Sequence, residues 1–537
     1  MIERLAFLWP EIALFVTTCV VMVVGLSRDY RTRKGTAVIA GLGIIIAGVL
    51  SVTTTPAWGE FTFDAGQALL PGMVGYAKVM IAAVGLLLLM LMAGTVDRTD
   101  EERIAAGRAS FDPLRSNRAE FYAFFLFSLT GLMLVAGADT LLWMFLALEL
   151  TSLPTYIMVA ISTQRNRSRE AAVKYFFLGA LGAAVFLYGF TLIYGGCGTA
   201  RLNEIHDHIA LHGINTLTMA GIMLSLLGLG FKIAAVPMHF YTPDVYEGAA
   251  PQVSAFLAFV PKTAGFLAIL LLAATIGWTY DAGAVKGVIR ASEHGTQLPE
   301  AVRVLLWVMA AMTMTVGNIL AVLQSSVKRI LAYSSIAHSG YMLVGVIAGP
   351  GDGSFTGSGV GAVLFYLMAY GVMNVGAFAV LAALERGRRD DGDAIEIETV
   401  DDLRGLWSSH PRMALVMLVC NLSLLGMPPL LGFFGKLPLF TSAIGAGEVP
   451  LVIVLGVNSA IAAYYYLRLA FVPMLENADR GAGAPRAAPF RSREIAGLLS
   501  AAGVIALAVF GASIMKRVEA AAKVSPTIAE IQATVTP

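Results

Sequence analysis

The chain has 537 residues, of which 57% are hydrophobic and only 14% charged, with a net charge of +1. Soluble domains carry about 25% charged residues, so the composition excludes a soluble globular protein and predicts an all-α polytopic membrane protein with no nucleic-acid partner. Cys19, Cys197 and Cys420 lie far apart and form no CxxC pair, and neither a GxGxxG fingerprint nor a Walker loop is present, so no disulfide, iron–sulfur, metal or nucleotide site is indicated.

A span takes about 20 apolar residues, and the sequence predicts about fourteen of them. In chain order they fall near 5–26, 36–55, 72–95, 119–137, 140–161, 171–195, 215–240, 251–276, 303–325, 329–348, 359–384, 412–442, 449–474 and 495–515. The first has no small-residue cleavage site after it and reads as a spanning helix rather than a signal peptide. Polar loops fall at 97–118, 385–411 and 476–494, the last rich in Gly, Ala and Pro and expected to be flexible; the tail after Lys516 is mildly amphipathic. Alternating the loops places 23 basic residues on one side and 8 on the other. The positive-inside rule then puts the rich side in the cytoplasm and both termini outside.

Six basic residues remain, all within spans: Lys78, Lys174, Lys232, Lys262, Lys436 and Arg468. With a rise of 1.5 Å per residue, Glu149 lies roughly 14 Å into its span and Lys262 roughly 17 Å. Lys232 and Lys436 are also near mid-height. Lys78, Lys174 and Arg468 lie nearer the ends, where snorkelling to water is expected. A charge at the bilayer centre costs about 2.5–3.5 kcal/mol on insertion scales. Each of the four deep charges lies near a helix breaker: Pro154, Pro237, Pro261 and the run Gly426–Pro429. Buried charge beside interrupted helix predicts an ion pathway.

Pro237 has no N–H for the Ile233 carbonyl, which is expected to hold water or the Lys232 ammonium. Burial disfavours an ammonium and a nearby carboxylate favours it. Lys232 with Glu149, the acid at mid-height, is therefore expected to form a proton-loading pair; the competing reading is a static ion pair that fixes packing. Lys262 and Lys436 have no acidic neighbour in sequence and suit a relay. His239, His338 (set among Tyr333, Ser334, Ser335 and Ser339) and Lys174 are secondary relay candidates. His206, Asp207, His208 and His212 read as loop residues rather than as a metal site. Spans 7 and 12 are each interrupted, each carry one central lysine, and run in opposite directions five spans apart, which is the pattern of an inverted five-helix repeat.

The strings TPDVYEGAAP (from Thr242), LAYSSIAHSGY (from Leu331) and GMPPLLGFFGKL (from Gly426) resemble subunit N of the proton-pumping NADH–quinone oxidoreductase, respiratory complex I, an antiporter-like membrane subunit family. The resemblance runs from about span 3 to span 13. It implies fourteen helices with discontinuous helices 7 and 12: an N-terminal segment at 1–118, a first five-helix repeat at 119–276, a second at 303–474, and a last helix and tail at 495–537. It also implies that Glu149 and Lys232 form an input pair, that Lys262 bridges, and that Lys436 is the output lysine. The chain would bind no cofactor; FMN, iron–sulfur clusters, NADH and quinone would belong to other subunits. Its partners would be the antiporter-like subunit M, subunits A, J and K, and lipid, in a bacterial inner membrane. The loop at 97–118, the stretch at 279–300 and the tail are longer than the family's usual form, and GAAP stands where GAP is common. A subunit of a multi-subunit sodium/proton antiporter is the alternative on the same scaffold.

Overall fold

The computed structural model describes residues 8–54, 69–108, 110–112, 116–163, 166–278, 298–388, 394–477 and 485–523. The principal helices are α1 (Trp9–Gly25), α2 (Thr36–Thr53), α3 (Pro71–Leu91), α4 (Arg118–Ala136), α5 (Leu141–Ile161), α6 (Asn166–Cys197), α7 (Thr216–Lys232) and α8 (Thr242–Gly248). They continue with α9 (Pro251–Ile276), α10 (Glu300–Val322), α11 (Val327–Ala348), α12 (Gly359–Ala383), α13 (Pro411–Leu425), α14 (Leu431–Gly445), α15 (Val449–Leu475), α16 (Arg491–Val509) and α17 (Gly511–Ala521). Among the described residues, eleven helices are long and apolar enough to cross a membrane alone, and the shorter apolar helices α1, α7 and α13 join them.

Starts and stops follow local chemistry. The side chains of Thr140, Asn215, Ser326 and Ser358 each accept a backbone N–H in the first turn of α5, α7, α11 and α12. Pro10, Pro71, Pro251 and Pro411 sit in the first turns of α1, α3, α9 and α13, where no N–H partner is lost. Small residues let helices touch: a Cβ on Gly189 of α6 would stand 2.6 Å from the Ser225 nitrogen of α7, and one on Gly221 of α7 would stand 2.7 Å from the Gly189 carbonyl.

α4 packs along α5 as α10 packs along α11, and α6 on α7 as α12 on α14, the same pairings twice in chain order. The sequence carries the same relation: Leu146, Ala147, Tyr156 and Val159 of α5 recur at identical spacing as Leu331, Ala332, Tyr341 and Val344 of α11. The central post is α9, every residue of which is buried. At the arginine-rich end, Leu384–Glu385 pairs antiparallel with Arg486–Ala487, and Gly387–Arg388 with Ala394–Ile395.

Several expectations are corrected. Prolines 154 and 261 do not break their helices; α5 and α9 run through them. Hydroxyls take up carbonyls in the turn before Pro154, Ser128 donating to Thr151 O at 2.6 Å and Thr155 to Ser152 O at 2.6 Å. The real interruptions are at 233–241 and 426–430. Lys78 does not snorkel: it forms a 2.7 Å ion pair with Glu11 of α1, both side chains 5% exposed. The 97–118 segment is not wholly loop. Arg98–Ala105 is helical, and Glu101 accepts from the buried Arg33 guanidinium, which also lies 3.7 Å from the centroid of Phe111. The start of the tail is helical and packed, with Val518 of α17 fully buried and Glu519 accepting from the Phe355 N–H at 2.9 Å. Most of the 279–300 stretch and residues 524–537 lie outside the described residues.

Candidate functional site

α7 ends at Lys232 because the next residues leave helical geometry, Ala234 at φ +56°. Three of the carbonyls freed there are met by donors from nearby. Ala235 N–H donates to Gly230 O at 2.8 Å, the Tyr241 hydroxyl to Phe231 O at 2.8 Å, and the Ser339 hydroxyl to Ile233 O at 2.5 Å. The Ile233 carbonyl therefore holds Ser339, not water or ammonium as expected from Pro237. The lysine sits at the negative end of the α7 dipole. Its Nζ donates to Glu149 Oε1 at 3.0 Å and to Ser152 Oγ at 2.6 Å, with the Phe186 ring centroid 5.6 Å away. The Lys232 side chain is 2% exposed, whereas that of Glu149 is 19% exposed. Glu149 lies on the outer stripe of α5 with Leu142, Leu146, Leu153 and Ile157, all of them exposed.

Between Lys232 and Lys262 lies a cavity of about 10 Å³, lined also by Tyr175, Tyr241, Thr242, Tyr246 and Pro261. This is room for one water. Thr242 is one of the lining residues, and its Oγ1 is buried.

Lys262 projects from α9 to α11. Its Nζ donates to the carbonyl of Ser335 and, at 2.5 Å, to the Ser335 hydroxyl, with the Tyr370 ring centroid 5.1 Å away. On the same turn Ser334 is hydrogen-bonded to the Tyr466 hydroxyl, which also meets His338 Nε2 at 2.6 Å. His338 Nδ1 meets the Tyr366 hydroxyl at 2.6 Å. Tyr366 in turn packs against Gly435, where a Cβ would come within 2.6 Å of its ring. The next residue, Lys436, donates to Leu425 O at 2.7 Å, a carbonyl exposed by the interruption before α14, and stands 5.0 Å from the Tyr341 ring centroid. Glu149, Lys232, Lys262, His338 and Lys436 thus lie inside the protein, with hydroxyls and one water-sized gap among them.

Two secondary candidates stand outside this set. Lys174 is 45% exposed and pairs with Glu170 at 2.8 Å and Asp244 at 3.1 Å; Asp244 is also bound by Arg329 at 3.0 Å. His239 is on the 233–241 connector, half-buried, and its Nδ1 finds no hydrogen-bond partner among the described residues. His206 packs its Nδ1 on Thr275 O at 3.0 Å, and among the described residues no three potential ligands gather for a metal. Sequence reasoning missed Ser152 and the tyrosines at 366, 370, 341 and 466. Ser152 was findable, one helical turn from Glu149; the tyrosines look like ordinary apolar filling until the helices are assembled.

The family model described as NADH:quinone oxidoreductase/Mrp antiporter, TM, matches residues 138–462. NADH-quinone oxidoreductase subunit N of Trichlorobacter lovleyi is 36% identical, over 87% of this chain and 86% of its own length. The chain belongs to the NADH-quinone oxidoreductase subunit N family. The subunit N of Rhodospirillum rubrum is 35% identical over 86% of this chain and 85% of its own. A chain of the Thermus thermophilus respiratory complex I structure with bound aureothin superposes with a TM-score of 0.72 at 31% identity, over 95% of this chain and 99% of that one. A chain of the Mrp complex from Dietzia sp. DQ12-45-1b reaches a TM-score of 0.74 over 100% of both, but at 19% identity, which shows the fold alone. The matched segment includes Glu149, Lys232, Lys262, His338 and Lys436, and the relatives support a multi-pass membrane subunit of an oxidoreductase assembly.

Proposed function

We propose that this chain translocates protons as a membrane subunit of NADH–quinone oxidoreductase, with Glu149 and Lys232 as the loading pair, Lys262 as the bridge and Lys436 as the output group. The observation that carries the reading is the set itself: five titratable side chains inside apolar helices, with hydroxyls and a one-water cavity among them. Static ion pairing accounts for Glu149 and Lys232 but not for Lys262 and Lys436, which have no carboxylate within 4.0 Å among the described residues. Protons pass by hopping between groups, so no lysine crosses the membrane. Lys174, beside Asp244 at the arginine-rich end, serves as an approach from the cytoplasm, and His239 has a similar minor role at the connector. The arginine-rich end faces the cytoplasm of a bacterial inner membrane and both termini face outward. The segments 1–118, 119–276, 303–474 and 495–537 act as N-terminal unit, first repeat, second repeat and closing helix with tail. FMN, iron–sulfur clusters, NADH and quinone are bound by other subunits, and subunits M, A, J and K are the membrane neighbours. The chain supplies the translocating part of the enzyme and no redox centre of its own.

The test is proton pumping and quinone reduction by the assembled complex carrying Lys232→Met or Lys436→Met. Loss of both activities with assembly intact supports the reading; normal pumping by both variants overturns it. Sodium uptake without redox partners would favour an antiporter instead.

A further inference from the structure

Lys232 has a counter-charge and, among the described residues, the two lysines beyond it do not. The repeat explains why for Lys436: at the place in α11 that corresponds to Glu149 in α5 stands Ser334, whose hydroxyl is engaged with Tyr466. Lys436 and Lys262 instead share another geometry. Each donates to a backbone carbonyl, and each ammonium stands over a tyrosine ring, Tyr341 at 5.0 Å and Tyr370 at 5.1 Å from the centroid. The face of an aromatic ring attracts a cation, the more so away from water, and it neither takes nor gives the proton.

Tyr341 is held in place. It is fully buried, and its hydroxyl accepts from Asn318 Nδ2 at 2.9 Å. Asn318, also fully buried, accepts from the Tyr465 hydroxyl at 2.9 Å and reaches Asn458 Oδ1 at 3.2 Å. Three helices, α10, α11 and α15, thereby fix one ring beside Lys436. Of the other titratable groups, His338 on α11 lies within electrostatic reach of both Lys436 and Lys262, and Tyr366 on α12 and Tyr466 on α15 are hydrogen-bonded to it. α13 brings the Leu425 carbonyl, and residues 495–509 of α16 contain no ionisable side chain.

We propose that Tyr341, pinned by Asn318, is the counter-group of Lys436, stabilising its ammonium between arrival and departure of the proton as Glu149 does for Lys232. Tyr370 stands in the same relation to Lys262. This rests on the proton-relay reading above. Losing a desolvated ring face disfavours the cation by roughly tenfold, which is about one pH unit.

NADH-driven pumping by the assembled complex is measured between pH 6 and 9 for Tyr341→Leu, Tyr341→Phe and Asn318→Leu. Co-purification of the variant chain with the NADH-oxidising subunits reports assembly. Tyr341→Leu is expected to move the alkaline limb of the pumping profile about one pH unit toward acid, while Tyr341→Phe, which keeps the ring but loses the hydroxyl that Asn318 holds, moves it no further than Asn318→Leu does. If Tyr341→Leu does not assemble, Asn318→Leu, which frees the ring, is expected to move the limb the same way by less. A limb that coincides in the Leu and Phe variants, or that Asn318→Leu leaves unmoved when it must stand in, overturns the proposal. Lys436→Met separates the two levels: if it stops pumping and the limb is unmoved, only the Tyr341 role fails; if it pumps normally, the relay itself fails.

Discussion

Consider removing the counter-charge of Lys232 by Glu149→Gln. The two groups are 3.0 Å apart, with the lysine almost fully buried. At an effective dielectric of about 20 their attraction is about 5 kcal/mol, near the upper end of the about 3–5 kcal/mol lost when one partner of a buried pair is removed. Glutamine keeps an oxygen for the ammonium, which returns about 1.5–2 kcal/mol. The net loss is about 3–3.5 kcal/mol, a roughly 150- to 400-fold fall in occupancy of the loaded state at fixed pH. Lys232→Met strands the carboxylate instead. In the double variant neither charge is stranded, and methionine fills most of the lysine volume. Three measurements on the purified complex in liposomes decide: thermal dissociation of the membrane arm, NADH–quinone turnover and NADH-driven acidification. Each single change should lower both the dissociation temperature and turnover. The double change should recover most of the dissociation temperature and none of the pumping. Additive losses of stability would show that the two groups are not coupled, and a double variant that pumps like the parent would refute their part in the relay.

Three further outcomes follow from other contacts. Arg493 is buried and its guanidinium donates to Ala93 O at 2.9 and 2.6 Å and to Ala382 O at 2.8 Å, tying the ends of α3 and α12 to α16. Arg493→Leu should cost about 3 kcal/mol or more in lost charged hydrogen bonds and stranded carbonyls, read as poor assembly, with Arg493→Lys intermediate; equal yields of all three would contradict this. Thr242→Val keeps the volume of the residue but removes a hydroxyl from the one-water cavity, so pumping should fall roughly tenfold with assembly intact, and an unchanged rate would mean the cavity is not on the route. Asp97 lies outside the spans; burial pushes its carboxyl above the ordinary carboxylate range, opposed by donors from Asn117, Ser116 and Arg118. Because the fold favours the protonated form, its contribution is present below the unfolded value near 3.9 and is lost as pH rises through the raised value. Asp97→Asn should therefore leave tryptic nicking of the 98–118 segment at pH 7 no faster than in the parent and weaken its pH dependence from 4 to 6; faster nicking at pH 7 would contradict this.

The sequence made the deep lysines legible because a charge inside twenty apolar residues has one explanation at a time: a partner or a path. It made the interruptions at Lys232 and before Lys436 legible through their prolines, yet overread Pro154 and Pro261, since a proline removes one intrahelical bond and need not end a helix that its neighbours hold in place. Lys78 illustrates the opposite limit. Its partner Glu11 is 67 positions away, on a different helix, and no local pattern joins them. The tyrosines around His338 were hidden for the same reason, coming from α11, α12 and α15, whose mutual placement is a property of packing alone.

Lys262 belongs to α9, but every acceptor the structure gives its amine is on α11. The bond ties one helix to the other. Slippage of α9 against α11 by an ångström or so would stretch a 2.5 Å contact beyond useful length. The amine would then turn toward the small cavity it shares with Lys232. Mechanical strain arriving from elsewhere in a larger assembly would thus be read out, at this one nitrogen, as a change of chemical neighbour.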